Sequence, residues 1–135
     1  MQVETKKRIA WSVGMTVSLC VCFILCRYAF FELHGMKEWP LDLLIFGLAV
    51  IIIAALCKSK ITMLCTVLGY AVGFGLGVLF NADYHVEDID IIVNDFWIWW
   101  TLAMIAFVIV GIAWDIIKRK LEVHPELWTV SNLEG

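Results

Sequence analysis

Charged residues are scarce in this sequence. They make up 17% of its 135 residues, whereas a soluble globular domain has about 25%. Proline is almost absent, with 2 residues, while hydrophobic residues reach 62%. So few charges cannot cover the surface of a soluble domain, and so few prolines allow long, uninterrupted helices. The composition therefore excludes an ordinary soluble domain and predicts an integral membrane protein.

Catalytic and metal-binding motifs are also missing. The sequence contains no C-x-x-C, H-E-x-x-H or paired-carboxylate motif. Ser12, Ser18 and Ser59 have no histidine or aspartate expected at the same depth. The 5 cysteines are an odd set in or beside apolar runs, unlike a secreted disulfide framework. We predict no enzymatic activity, no cofactor and no metal; a soft metal ion held by Cys22 and Cys26 is the weaker alternative.

Four apolar runs organise the chain, and each is near the ~20 residues that a helix needs to cross a bilayer. The runs cover residues 9–31, 41–57, 61–82 and 96–117, with connections at 32–40, 58–60 and 83–95. Connections this short make neighbouring helices antiparallel. The sequence predicts one all-α membrane domain over 1–135, an up-down-up-down bundle of four transmembrane helices followed by a tail at 118–135.

Basic residues mark one side of this bundle. That side would carry 8 of the 10 lysines and arginines, namely Lys6, Lys7, Arg8, Lys58, Lys60, Lys118, Arg119 and Lys120. Since positive charge favours the cytoplasmic side, both termini and the turn at 58–60 are predicted to be cytoplasmic, in the plasma membrane. The first run is too long for a signal peptide and is expected to be a retained helix.

Small side chains recur every four residues in the first and third predicted helices. Such rows, of which G-x-x-x-G is the best known, let two helices in a membrane approach closely. The predicted helix-packing residues are Ala10, Gly14, Ser18 and Cys22 in the first helix, and Gly69, Gly73 and Gly77 in the third. Two arrangements stay open: the two helices pack against each other within one chain, or the glycine face joins two chains.

The segment AVGFG at 71–75 lies within the glycine-rich helix. It resembles the selectivity filter of potassium channels, whose pattern is T-V-G-Y-G or T-V-G-F-G, and the resemblance implies a re-entrant loop lined by protein or water. However, Ala71 stands in place of the first threonine, and basic and acidic residues flank opposite ends of the run. We therefore expect this segment to cross the membrane as a helix.

Charged side chains inside the runs lie only near their edges, and the middle of the runs holds no ionisable groups other than cysteines and Tyr70. Small proton-coupled multidrug antiporters need a carboxylate in the middle of the membrane, and none of the four runs has a carboxylate at that depth. Arg27 is placed near the outer edge and Asp115 near the inner edge. The expected partners are Glu32, Asp42 or Asp95 for Arg27, and Lys118 or Arg119 for Asp115.

The connection at 83–95, DYHVEDIDIIVND, is the most acidic stretch of the chain. Its candidate partner-binding residues are Asp83, His85, Glu87, Asp88 and Asp90. Acidic side chains attract a cationic peptide or a basic partner domain, and they also suit a divalent cation. A solvated cap without a ligand is the simplest structural interpretation of this stretch.

These patterns favour a non-catalytic role. We predict an accessory or interaction subunit, or a self-associating structural component, with the acidic connection as its recognition surface. The predicted partners are the lipid bilayer and a larger membrane protein or a second copy of the chain, with no nucleic acid. The alternative is a small oligomeric transporter or channel for an ion or a small solute.

Overall fold

The structure of the protein, a computed structural model, describes residues 1–81, 83–86 and 91–124. The helices are α1 (Gln2–Ile24), which continues as a π-helix (Leu25–Ala29), α2 (Phe31–His34), α3 (Trp39–Leu56), α4 (Lys60–Phe80) and α5 (Phe96–Val123), and the strands are β1 (Asp83–Val86) and β2 (Ile91–Asn94). By length and composition, four helical segments are able to span a membrane: Gln2–Ala29, α3, α4 and α5. The prediction of four helices that are long and apolar enough to span a membrane is confirmed.

Two of the long helices extend beyond the apolar runs that predicted them. α1 begins at Gln2 rather than at Ile9, and α5 continues to Val123 where a tail from 118 was expected. Lysine, arginine, glutamate and leucine are good helix formers, so the backbone stays helical where the hydrophobic run has ended. α5 ends shortly before Pro125, and proline disfavours helical backbone in the residue that precedes it.

The architecture is helical as predicted, except for a short β-hairpin in the connection between α4 and α5. β1 and β2 pair antiparallel, with Asp83 opposite Asn94 and Val86 opposite Ile91. The β-branched residues of the IIVN segment favour a strand. No Asn-Gly or Asp-Gly turn signal occurs between the strands, so the sequence did not predict a hairpin here.

α4 is the central helix of the bundle. α5 packs along α4, whereas α1, α3 and α4 contact one another and α3 scarcely touches α5. The buried core surrounds α4 and includes Leu19, Cys26, Leu43, Leu44, Ile51, Met63, Tyr70, Phe96, Trp100 and Met104. α5 is therefore held mainly through its contact with α4.

An aromatic cluster of Tyr70, Phe74, Phe96 and Trp100 fills the space between α4 and α5. The Trp100 ring meets the Tyr70 ring edge-on at 5.1 Å and the Phe74 ring at 5.2 Å. Trp100 Nε1 donates a hydrogen bond to the Tyr70 carbonyl at 2.9 Å, and the Tyr70 hydroxyl donates to the Pro40 carbonyl at 3.0 Å. Because both polar tips are paired, these large side chains are buried without an unsatisfied donor.

The glycine row of α4 packs against α5. A Cβ atom added at Gly69 would lie 2.8 Å from Phe107 Cβ, one at Gly73 would lie 2.8 Å from the Trp100 carbonyl oxygen, and one at Gly77 would lie 2.8 Å from the Phe96 ring. Atoms this close cannot coexist without a shift of the helices. The glycines therefore set the distance between α4 and α5.

The small residues of the first helix do not pack against this row, contrary to one of the two expected arrangements. Ala10, Gly14 and Ser18 are exposed, and a Cβ atom at Gly14 would meet nothing within 4 Å. The aromatic rings and Ala103 of α5 fill the grooves above the α4 glycines instead. Cys22 is half-buried, and the deepest residues of the first span, Leu19 and Cys26, point into the core.

Candidate functional site

The turn between α3 and α4 carries the polar residues of the candidate site. The Ser59 amide donates to the Ala54 carbonyl at 2.8 Å, and the Lys58 amide donates to the Ala55 carbonyl at 3.2 Å. This pair of bonds is the Schellman pattern that ends a helix, and it needs a left-handed residue between them. Lys58 takes that position with φ of 60°, although glycine is usual there. The turn reverses the chain and places Ser59 beside α5.

Two hydroxyl groups converge on the carboxylate of Asp115. Ser59 Oγ and Thr62 Oγ1 both donate to Asp115 Oδ2, the latter at 2.6 Å, and the two hydroxyl oxygens lie 2.6 Å apart. Ser59 and Thr62 are buried, with 6% and 4% of their surface exposed, and Asp115 is half-buried. Hydroxyl donors compensate a carboxylate for the water that it loses at this depth.

Arg119 closes the same region from one turn further along α5. Its guanidinium Nη2 donates to the carbonyl of Cys57, the residue that caps α3. The last carbonyls of a helix lack partners within the helix, and the negative end of the helix dipole attracts a cation. Asp115 and Arg119 together attach α5 to the turn between α3 and α4.

A crevice of about 290 Å³ opens between α3 and α5 above this polar cluster. It exists because both helices pack on α4 while scarcely touching each other. Its lining comprises Val50, Ile53, Ala54, Cys57, Ser59, Thr62, Val108, Ile112, Asp115, Ile116 and Arg119. Polar side chains lie at one end and aliphatic side chains form the rest of the wall, an arrangement that suits an amphiphilic ligand.

Asp115 has hydrogen-bond partners that were not predicted. Lys118 or Arg119 was expected, and Ser59 was expected to have no aspartate near it, but Ser59 and Thr62 bond to Asp115 directly. The sequence did contain a signal. Asp115 lies just before the basic residues that end the fourth run, and Ser59 lies between two lysines. Both residues therefore lie beside basic residues at the same end of the bundle, although their contact was not predicted.

Arg27 lies in the π-helix that ends the first span. Its Nη1 donates to the Lys37 carbonyl at 2.7 Å, and its guanidinium lies 5.8 Å from the ring centroids of both Phe23 and Tyr28. The predicted acidic partners are thus replaced by a backbone carbonyl and two aromatic rings. Aromatic faces attract a guanidinium and shield it at the edge of the apolar region.

Three of the five predicted recognition residues lie outside the part of the chain that the structure describes. Asp83 and His85 belong to β1, while Glu87, Asp88 and Asp90 lie outside the described residues. Within residues 1–81, 83–86 and 91–124, no group of three histidine, cysteine, aspartate or glutamate side chains is arranged to hold a metal ion. The AVGFG segment lies inside α4 as continuous helix and does not form a re-entrant loop.

No family model, curated protein or solved structure matches this chain. Function is therefore inferred from the residues and their geometry. Two features stand out among the described residues: the exposed small-residue face of α1, and the crevice with Ser59, Thr62, Asp115 and Arg119 at its polar end.

Proposed function

We propose that this protein is a non-catalytic interaction subunit of the plasma membrane, which binds a helix of a larger membrane protein or of a second copy of itself. The observation that carries the proposal is the face of α1 formed by Ala10, Gly14 and Ser18. These residues are exposed, and no side chain covers Gly14 within 4 Å. A row of small residues lets another helix pack closely in a bilayer, where helix association depends on van der Waals contact.

The filled interior supports a binding role over transport. Tyr70, Phe96 and Trp100 are fully buried between α4 and α5, so the space between these helices holds side chains. The alternative of a small transporter or channel would need a pathway formed between copies of the chain. The acidic connection at 83–95 is proposed as a second recognition surface, for a basic segment of the same partner.

Gly14 provides the test of the proposed function. We expect Gly14→Leu to reduce cross-linking to the partner, or to a second copy, at least about ten-fold in native membranes, because bulk on α1 would separate the helices. The fold of the protein tolerates the leucine, since a Cβ atom at Gly14 would meet nothing within 4 Å. The matched control is Gly75→Leu on α4, which is equally uncovered and should leave cross-linking unchanged. Equal cross-linking by both variants, or none by the unmodified protein, would contradict the proposal.

We further propose that both termini and the turn at 57–59 face the cytoplasm. Lys7 of α1 and Lys60 of α4 line one shallow groove, so basic residues from separate helices gather at one end of the bundle. The exposed thiol of Cys57 reports on this turn. A membrane-impermeant maleimide should label Cys57 in inverted vesicles and spare it in intact cells. A variant that combines Lys37→Cys with Cys57→Ser should show the opposite pattern. Labelling of Cys57 in intact cells would contradict the proposed orientation and indicate the opposite one.

A further inference from the structure

The crevice between α3 and α5 has the length and wall of a site for a hydrocarbon chain. Val108 lies seven residues before Asp115 in α5, a distance of about 10 Å at ~1.5 Å per residue, and both line the crevice. Half of a bilayer's hydrocarbon core is about 15 Å thick. The crevice therefore extends over roughly two thirds of one leaflet from its polar end. Ile53 and Ile112 supply aliphatic wall on opposite helices.

The polar end presents one negative and one positive group side by side. Asp115 and Arg119 are four residues apart on α5, so their Cβ atoms lie about 5–6 Å from each other. A carboxylate accepts about four hydrogen bonds, and Ser59 and Thr62 both bond to Oδ2. A guanidinium has five N–H donors, and one of them bonds to the Cys57 carbonyl. Both groups keep capacity for a ligand.

We propose that this crevice binds one phospholipid with a primary-amine headgroup, taken from the surrounding leaflet. The ammonium of the lipid donates to Asp115, its phosphate accepts from Arg119, and one acyl chain lies against the aliphatic wall. A phosphate and an ammonium in one headgroup match the adjacent charges of α5. This binding site is separate from the α1 face on which the proposed function rests.

Charge and hydrogen bonding select among the common phospholipids. A quaternary ammonium has no N–H group to donate to Asp115. An anionic headgroup without an amine offers Asp115 no ammonium and brings a second negative charge close to it, which is repulsive. The depth is also suitable, because Lys58 precedes Ser59 in the turn and Lys118 lies between Asp115 and Arg119 in the sequence. Basic side chains such as these reach the level of the headgroups.

Native mass spectrometry of the delipidated full-length protein tests the proposal. Dioleoyl phosphatidylethanolamine, phosphatidylcholine and phosphatidylglycerol are added singly in detergent, and the bound lipid is counted. We expect phosphatidylethanolamine to bind at least about ten-fold more tightly than either of the others, the gain from one charge-assisted hydrogen bond. Equal binding of the three lipids would overturn the proposal, since it would indicate only general contact with lipid.

Variants separate the parts of the site. Asp115→Asn should abolish the preference for phosphatidylethanolamine over phosphatidylcholine, and Arg119→Gln should weaken the binding of both lipids alike. Ile116→Trp should block the crevice, whereas Ile117→Trp is the matched control, because Ile117 does not line it. Both isoleucines are at least half exposed, at 50% and 55%, so the fold tolerates either change. The two tryptophan variants therefore test lipid binding in the crevice even if Asp115→Asn fails to fold. Equal retention of lipid by the two tryptophan variants would refute the assignment.

Discussion

Replacing Trp100 by alanine is expected to lower the free energy of unfolding by about 3–5 kcal/mol, the range for losing a large buried aromatic side chain. Trp100 is fully buried and contacts the rings of Tyr70, Phe74 and Phe96. In a bilayer this loss comes mainly from packing, because lipid tails are as apolar as the core and give little hydrophobic drive. The substitution also removes the hydrogen bond from Trp100 Nε1 to the Tyr70 carbonyl.

Trp99→Ala is the matched control for this prediction. Trp99 is 40% exposed and contacts the Phe80 ring at 5.1 Å, so we expect its removal to cost less than about 1 kcal/mol. Equilibrium unfolding in mixed micelles of a mild detergent and dodecyl sulfate, followed by circular dichroism, measures both values. Similar losses for the two variants would show that the aromatic cluster does not hold α4 and α5 together.

Gly73→Leu is expected to destabilise the protein by about 3 kcal/mol, at the upper end of the cost of overpacking. A Cβ atom at this position would lie 2.7 Å from Trp100 Cδ1 and 2.8 Å from its carbonyl oxygen. The side-chain ring can turn, but the backbone carbonyl cannot move without shifting α5. The leucine therefore forces the two helices apart.

The same helix offers the control for Gly73. Gly75 is exposed, and a Cβ atom there would meet nothing within 4 Å. Gly75→Leu should leave stability unchanged or raise it by up to about 1 kcal/mol, since glycine is a poor helix former. Unfolding midpoints in the same micelles compare the pair. A loss of stability at Gly75 as large as at Gly73 would contradict the close contact between α4 and α5.

The spans of this protein could be predicted from the sequence because hydrocarbon thickness fixes their length. Each long helix covers most of one apolar run near 20 residues, and such a run is a local property of the sequence. The helix ends at Gln2 and Val123 were missed for a related reason. Hydropathy detects where the apolar run stops, whereas the backbone stays helical through charged residues with high helix propensity.

The contacts between helices could not be predicted, because they are properties of the folded chain. The glycine row of α4 showed that some helix approaches closely, but its spacing fits a partner on α1 as well as on α5. The large side chains of α5 make it the partner, because the rings of Phe96 and Trp100 fill the grooves above Gly77 and Gly73. The Ser59–Asp115 contact joins residues that are 56 positions apart in sequence, so no local motif predicts it.

The unequal burial of the helices implies that the chain opens in stages. Inside the bundle, 11% of the apolar window of the first span is buried, against 39% for α4 and 33% for α5. The protection of backbone amides against hydrogen exchange follows the free energy of local opening, which is lower where fewer contacts must break. We therefore expect α1 to separate from the bundle before α4 and α5 separate from each other. The helix that carries the proposed binding face is then also the one that can adjust its position at the least cost to the fold.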